Sequence, residues 1–141
     1  MTKEEKKKLE AYMFNNNKLN PDVVGKPAAW IAEQAGFTVD KKTSVLCVLC
    51  SEVGPQEPLT REKLSPVLAV LVSDSLEDGI KKSCQMVEFN GLGHSAAIHT
   101  QNKEVADEFG KQVKAIRIIW NSPSTFGGIG NIYNSFLPSL T

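Results

Sequence analysis

The sequence has no excess charge of either sign, because 16 Lys and Arg residues balance 16 Asp and Glu residues. A chain without a net field is not expected to attract nucleic acid or an anionic membrane. It also has no apolar run near the roughly 20 residues that span a bilayer, and its polar N-terminus lacks the apolar core of a signal peptide. We therefore predict a cytoplasmic protein that binds neither nucleic acid nor a membrane.

Cysteine and histidine are scarce, at 3 and 2 residues, and an odd cysteine count gives no disulfide framework. Cys47 and Cys50 have C-x-x-C spacing, but they lie in the apolar run 44–50, which is typical of a buried strand. On a strand, residues three apart point to opposite faces, and a zinc site needs four ligands. We predict no metal site and interpret both thiols, together with Cys84 on a helix stripe, as structural.

Generic catalytic and nucleotide-binding motifs are also missing. The sequence contains no G-x-S-x-G nucleophile motif and no P-loop. Gly128-Ile129-Gly130 lacks the third glycine of a dinucleotide fingerprint, and it follows a long loop instead of a strand-to-helix turn. Neither a Rossmann site nor a serine hydrolase is therefore indicated.

Apolar periodicity predicts helices alternating with strands along residues 1–120. The helices are expected at 3–14, from Pro27 to Ala35, at 75–89 and at 103–114, and the strands at 44–50, 67–72, 95–100 and 116–120. Continuous apolar strands alternating with helices favour a mainly parallel sheet with helices on both faces. The sequence therefore predicts an α/β fold in a single domain spanning 1–141.

The last 21 residues, 121–141, show no clear period and are rich in glycine and proline near their start. Structureless stretches of this length in a compact domain are usually functional loops or truncated elements.

Three segments are candidates for function, and each has a structural alternative. Glu62, in the charged turn 61–66, is either a surface carboxylate or helix-cap partner, or a ligand contact. His94 is either a hydrogen-bonded loop residue, with neighbouring glycines that permit the turn, or a catalytic imidazole. The glycines of 127–130 form either a connector or a place where a substrate approaches the backbone.

Taken together and in order, these segments resemble one family. The motifs are E-K-L-S-P-V-L-A at 62–69, G-L-G-H-S at 91–95, and N-S-P followed by G-G-I-G and P-S-L-T within 121–141. They are similar to the CoA-acylating acetaldehyde dehydrogenases, above all to the aldehyde dehydrogenase half of the bifunctional aldehyde-alcohol dehydrogenases. The likeness extends over nearly all of 10–141, without large gaps.

The resemblance implies an oxidoreductase that interconverts a short aldehyde and its acyl-CoA. A cysteine thiolate attacks the aldehyde, hydride passes to NAD, and the resulting thioester is transferred to CoA. By the family pattern that cysteine lies upstream of Met1, and none of the three cysteines here lies in a matching motif. We therefore expect a piece of the catalytic domain, inactive alone, from a larger enzyme that forms an oligomer.

The resemblance also implies roles for individual residues. Glu62 matches the glutamate that holds the nicotinamide ribose hydroxyls, and His94 matches a catalytic histidine near the reacting thioester. The remaining cofactor-binding residues would line the acyl or CoA pocket: Asn121, Gly127, Gly128 and Gly130, with Ser122 beside them. Phe126 and Asn131 depart from the family pattern and put the acetaldehyde assignment in question, so propanal and succinate semialdehyde remain alternative substrates.

A second hypothesis belongs to a different class. The chain would then be a non-catalytic interaction or assembly module derived from the same fold. Its distinguishing feature would be an exposed apolar surface, since large exposed apolar patches mark interfaces.

Overall fold

The structure is a computed structural model that describes residues 1–129, 135 and 137. These residues contain helices α1 Lys3–Met13, α2 Ala28–Gln34, α3 Leu76–Phe89, α4 Lys103–Gln112 and α5 Ser124–Ile129. The strands are β1 Phe14–Asn15, β2 Lys18–Leu19, β3 Leu46–Cys50, β4 Val67–Leu71, β5 Gly93–Ile98 and β6 Ala115–Trp120. The chain divides after Ser73 into two compact units, here the N-terminal and the C-terminal unit. The single domain expected over 1–141 stays a prediction.

Helix α1 begins at a capping box and ends in a tight hairpin. The Thr2 hydroxyl accepts from the Glu5 amide at 3.2 Å, and the Glu5 carboxylate accepts from the Thr2 amide at 2.7 Å. Asn16 and Asn17 turn the chain with φ of 50° and 59° between the antiparallel strands β1 and β2. Asparagine tolerates this left-handed backbone, so the asparagine run ends the helix as predicted, although the hairpin itself was not anticipated.

The core of the N-terminal unit draws apolar side chains from α1, α2 and β3. Leu9, Met13, Ile31 and Val48 are fully buried within one cluster. Pro27 precedes the first residue of α2, and Gly36, with a φ of 84°, follows its end. Both positions agree with the helix boundaries that the sequence indicated.

Strands β3 and β4 pair in parallel, from Leu46 opposite Val67 to Cys50 opposite Leu71. Burial alternates along β3: Leu46, Val48 and Cys50 are buried, whereas Cys47 and Leu49 are exposed. Within these 141 residues, β3 is therefore buried on one face only. Alternation gives each face every second residue, and an unbroken apolar run does not reveal that one face stays exposed.

The C-terminal unit is built on a second parallel pair, in which β5 and β6 align from Gly93–Ala115 to Ile98–Trp120. Helix α3 begins at Ser75, whose hydroxyl accepts from the Asp78 amide at 3.1 Å. Helix α4 begins at Asn102, whose side-chain oxygen accepts from the amides of Glu104 and Val105. The small apolar core centres on Ile80, Phe109 and Val113.

The α/β class with parallel strands is confirmed, but two details differ from the prediction. The described strands form three two-stranded sheets, β1–β2, β3–β4 and β5–β6, instead of one sheet. In addition, α5 lies within the segment predicted to be structureless, directly after Pro123. Glycine disfavours helix by about 1 kcal/mol each, which is why Gly127 and Gly128 argued against a helix there. No helix among the described residues combines the length and hydrophobicity needed to cross a membrane.

Candidate functional site

Glu62 lies exposed on the loop that returns the chain from the end of β3 to the start of β4. The loop leaves β3 beside Glu57, whose carboxylate accepts from the Ser51 hydroxyl at 3.0 Å. It arrives at Pro66, whose carbonyl accepts from the amide of Leu46, the first residue of β3, at 2.9 Å. The Glu62 side chain is therefore carried by a segment that is tied down at both ends of β3.

Whereas Glu62 faces solvent, the next residue, Lys63, is buried. Its side chain is only 8% exposed, and its ammonium donates to the carbonyls of Leu59 at 2.6 Å and Arg61 at 2.7 Å. Burial lowers the pKa of Lys63. The ammonium holds the end of the 3₁₀ turn Pro58–Thr60, which fixes the backbone from which Glu62 projects. The sequence had suggested only a charged turn here.

His94 is the second residue of β5, at the turn that leads into the strand, where the backbone geometry is unusual. Gly91, Leu92, Gly93 and His94 all have positive φ, at 101°, 57°, 100° and 37°. For non-glycine residues this region costs of order 1–3 kcal/mol and is found mainly at functional sites. The half-buried imidazole has its Nε2 3.3 Å from the Asn90 carbonyl oxygen. The glycines permit the turn, as predicted, but the left-handed conformations of Leu92 and His94 were not foreseen.

Asn121 follows the last residue of β6 and also has a positive φ, 54°. Its side-chain oxygen accepts from the Thr100 amide at 2.9 Å, and its side-chain nitrogen donates to the Thr100 carbonyl at 2.8 Å. The Trp120 indole donates to the same carbonyl at 2.8 Å. These bonds join the carboxyl end of β6 to the residues just beyond β5, directly before α5.

The structure does not bring His94 and Asn121 together. His94 is near the start of β5 and Asn121 follows the end of β6, and because the strands are parallel these are opposite ends of the pair. At about 3.3 Å per residue they lie roughly 16 Å apart along the strands. Gly127 and Gly128 lie in α5, whereas Gly130 and Asn131 lie outside the described residues. The predicted roles of all these site residues stay predictions.

One polar cluster escaped sequence reasoning because its members lie far apart along the chain. The Lys6 ammonium is 2.7 Å from a Glu57 carboxylate oxygen and donates to the Leu49 carbonyl at 3.0 Å. Burial alone would raise the pKa of Glu57, but hydrogen bonds from Lys6 and Ser51 hold it below its usual value. The cluster lines a cavity of about 570 Å³ between α1 and the end of β3.

Cys50 also lines this cavity, yet its thiol is poorly suited to nucleophilic attack. Burial, reinforced by the nearby Glu57 charge, raises the pKa of Cys50 to about 11. A reactive thiol needs the opposite shift, because the thiolate is the nucleophile. Among the described residues, no group of three His, Cys, Asp or Glu side chains could hold a metal ion.

Sequence comparison finds relatives of high identity that are much longer than this chain. The chain is 65% identical over its whole length to the aldehyde-alcohol dehydrogenase of Streptococcus pneumoniae (strain TIGR4), of which it covers 17%. It is 40% identical over 97% of its length to the bifunctional aldehyde-alcohol dehydrogenase of Escherichia coli (strain K12), of which it covers 16%. The chain thus spans about a sixth of the curated relatives it matches most strongly. No protein-family model matches it.

Solved structures give the same answer for the fold. An acetylating aldehyde dehydrogenase from Geobacillus thermoglucosidasius superposes with a TM-score of 0.92 at 35% identity, covering 100% of this chain and 31% of that one. Structures of a glycolyl-CoA reductase with NADP⁺ and of a Rhodopseudomonas palustris propionaldehyde dehydrogenase with propionyl-CoA share the fold at 21% identity. Fold and motifs together define an aldehyde dehydrogenase catalytic-domain region.

The particular family follows from the high identity to the aldehyde-alcohol dehydrogenases combined with the acetylating structural neighbour. The chain belongs to the CoA-acylating aldehyde dehydrogenases and matches the aldehyde dehydrogenase region of the bifunctional aldehyde-alcohol dehydrogenases. The resemblance inferred from the three motifs is thereby confirmed.

Proposed function

We propose that these residues act within an enzyme that interconverts a short aldehyde and its acyl-CoA, with NAD and CoA, through a cysteine thioester. The observation that carries the proposal is the 65% identity over the whole chain to an aldehyde-alcohol dehydrogenase. The ordered motifs around Glu62, His94 and Asn121 support it. None of Cys47, Cys50 or Cys84 is the proposed nucleophile, so the 141 residues alone are expected to be inactive.

The proposed role of Glu62 is to bind the nicotinamide ribose. A carboxylate accepts hydrogen bonds from two adjacent hydroxyls at once. The exposed side chain of Glu62 and its backbone, fixed through Lys63, suit this task. A cofactor that docks from solvent would meet a carboxylate on a backbone that is already ordered, which reduces the entropy cost of binding.

The proposed role of His94 is positioning of the CoA thiol or proton exchange with it. The thiolate is the reactive form of a thiol, so the transfer step needs a base. In the tautomer that donates from Nε2 to the Asn90 carbonyl, Nδ1 is left as the acceptor. The strained backbone of this loop supports a functional role, since such strain is concentrated at functional sites.

The proposed acyl or CoA pocket involves Asn121 with the glycines Gly127, Gly128 and Gly130. Glycines allow a ligand to approach the backbone closely. We further propose that the enzyme is cytoplasmic and oligomeric. Acetaldehyde is the favoured substrate, with propanal and succinate semialdehyde as the alternatives.

The test is a chimera in which residues 1–141 replace the matching segment of the Streptococcus pneumoniae relative. We expect acetyl-CoA-dependent oxidation of NADH by this chimera. His94→Gln should lower kcat about a hundredfold, the usual scale of acid–base catalysis, whereas His99→Gln, at the exposed histidine nearby, should leave it unchanged. Glu62→Gln should raise the KM for NADH about tenfold, as expected for a lost charged hydrogen bond, and Glu52→Gln should not.

The interaction module remains the second candidate because part of the β3–β4 surface is apolar and exposed. Leu49, Leu68 and Val72 are 64%, 54% and 68% exposed. A chimera that folds and assembles but binds neither NAD nor CoA would favour this module over the enzyme.

A further inference from the structure

At the carboxyl end of the β5–β6 pair, the side chain of Asn121 forms hydrogen bonds to a backbone N–H and C=O in the way a neighbouring strand would. The Asn121 amide forms a two-bond pair with the backbone of Thr100, one bond at 2.9 Å and one at 2.8 Å. The backbone amide of Asn121 also donates to the Ile98 carbonyl at 2.9 Å. Three hydrogen bonds therefore fasten one residue across the end of the strand pair.

Among the described residues, Thr100 takes part in all but one of the hydrogen bonds that connect the end of β6 to the residues after β5. Its carbonyl accepts a second hydrogen bond from the Trp120 indole at 2.8 Å. Its hydroxyl accepts from the amide of Asn102 at 3.1 Å, and Asn102 in turn caps α4 through its side chain. These bonds thus link the end of β6 to the start of α4.

Both polar atoms of the Asn121 side chain are engaged with Thr100, which leaves one N–H and one lone pair for any other partner. A side-chain amide offers two donor hydrogens and one acceptor oxygen with two lone pairs. The left-handed backbone of Asn121, with a φ of 54°, turns the chain into Ser122, Pro123 and α5. Asparagine tolerates this conformation, so the side chain can bond to Thr100 while the backbone turns.

We propose that Asn121 is a positioning residue, which clamps β6 to Thr100 and thereby sets the direction in which α5 carries Gly127 and Gly128 into the acyl or CoA pocket. This inference rests on the proposed function. In it Asn121 does not contact the ligand directly but fixes the position of the backbone that lines the pocket. Breaking the clamp should weaken CoA binding without removing any group that touches the reacting atoms.

The first arm of the test uses the 141-residue chain and measures the hydrogen-exchange protection of the Thr100 amide. Asn121→Ala and Asn121→Gly should each lower that protection about tenfold, the scale of one lost hydrogen bond. The glycine variant accepts the positive φ without strain, so it separates the clamp from the backbone conformation. Trp120→Phe is the matched control, because it removes a partner of the Thr100 carbonyl but none of the Thr100 amide.

Asn121→Asp adds a readout that general destabilisation does not produce. Its carboxylate still accepts from the Thr100 amide but repels the Thr100 carbonyl, whereas the protonated carboxyl group can donate to that carbonyl. Relative to the unsubstituted chain, protection of Thr100 in N121D should therefore recover as the pH falls. No such recovery is expected in N121A.

The second arm uses the chimera and separates this inference from the proposed function. If the unsubstituted chimera is active, N121A should raise the KM for acetyl-CoA about tenfold, the same scale as the lost hydrogen bond, and change kcat much less. An active chimera whose KM for acetyl-CoA is unchanged by N121A, or a Thr100 amide still protected in N121A and N121G, overturns the clamp. An inactive unsubstituted chimera overturns the proposed function, and the pocket role of Asn121 with it.

Discussion

The two units of the chain are stabilised in different ways. In the N-terminal unit Leu9, Met13, Ile31 and Val48 have no exposed surface, and β3 alternates between buried and exposed residues. In the C-terminal unit no residue of β5 is fully buried, and side-chain hydrogen bonds such as those of Asn102 and Asn121 secure the ends of elements.

The difference bears on the proposed function, because the proposed site residues His94 and Asn121 both lie in the more lightly packed unit. Segments that bind ligands are drawn from the less stable part of a protein, where local opening is easier. Glu62, in contrast, lies in the better packed unit, on a loop whose backbone the buried Lys63 fastens through the carbonyls of Leu59 and Arg61.

Removing a fully buried side chain from the N-terminal core should have the largest effect on stability. Leu9→Ala deletes apolar volume from α1 where the cluster leaves no exposed surface, and should cost about 3 kcal/mol of unfolding free energy. Leu49→Ala, at an exposed position of β3, is the matched control and should cost less than about 0.5 kcal/mol. Urea unfolding of both variants measures the contrast, and equal losses would show that the core assignment is wrong.

The two cysteines of β3 should differ strongly in reactivity. Cys47 is exposed, whereas Cys50 is buried with a pKa of about 11. A pKa about two units above an ordinary thiol leaves Cys50 about a hundredfold less thiolate near neutral pH. Timed alkylation followed by peptide mass spectrometry should label Cys47 first, and comparable labelling of Cys50 would contradict the one-sided burial of β3.

The Lys6–Glu57 pair should make part of the stability of the N-terminal unit dependent on pH. Because the folded pKa of Glu57 is lowered from 4.5, its contribution is fully present above that value and is lost as the pH falls through the folded pKa. At neutral pH Glu57→Gln should cost about 1–2 kcal/mol, and the difference from the unsubstituted chain should shrink in acid. Unfolding curves at several pH values measure this, and Glu52→Gln serves as the exposed control.

The smallest effect is expected at the cap of α4. Asn102→Ala removes the oxygen that accepts from the amides of Glu104 and Val105 and should cost about 1 kcal/mol. Lys103→Ala, next to the cap but without a part in it, should change stability by less than about 0.5 kcal/mol. If the two variants unfold alike, hydrogen bonds at helix ends do not stabilise the C-terminal unit as described.

Much of this architecture could be predicted from local patterns. Apolar periodicity located the helices from α1 to α4, and Ser75 marked the start of α3 through its capping spacing with Asp78. The glycines at 91 and 93 indicated a turn before β5, and both have positive φ.

The rest depends on contacts between residues far apart along the chain. The Lys6–Glu57 pair joins residues 51 positions apart, and the Asn121–Thr100 clamp joins residues 21 apart, so no local pattern reveals either. Lys63 is an ordinary charged residue in sequence, and only the folded loop shows its ammonium turned inward to two carbonyls. The division into three two-stranded sheets could not be predicted for the same reason. The pattern within a strand does not show which other strand it pairs with.

The chimera with the Streptococcus pneumoniae relative tests the central claim most directly. The measurement is acetyl-CoA-dependent oxidation of NADH, recorded alongside the assembly state of the chimera. We expect activity of the same order as that of the unmodified enzyme, lowered about a hundredfold in His94→Gln and retained in His99→Gln. A chimera that folds and assembles normally but shows no CoA-dependent oxidation of NADH would contradict it.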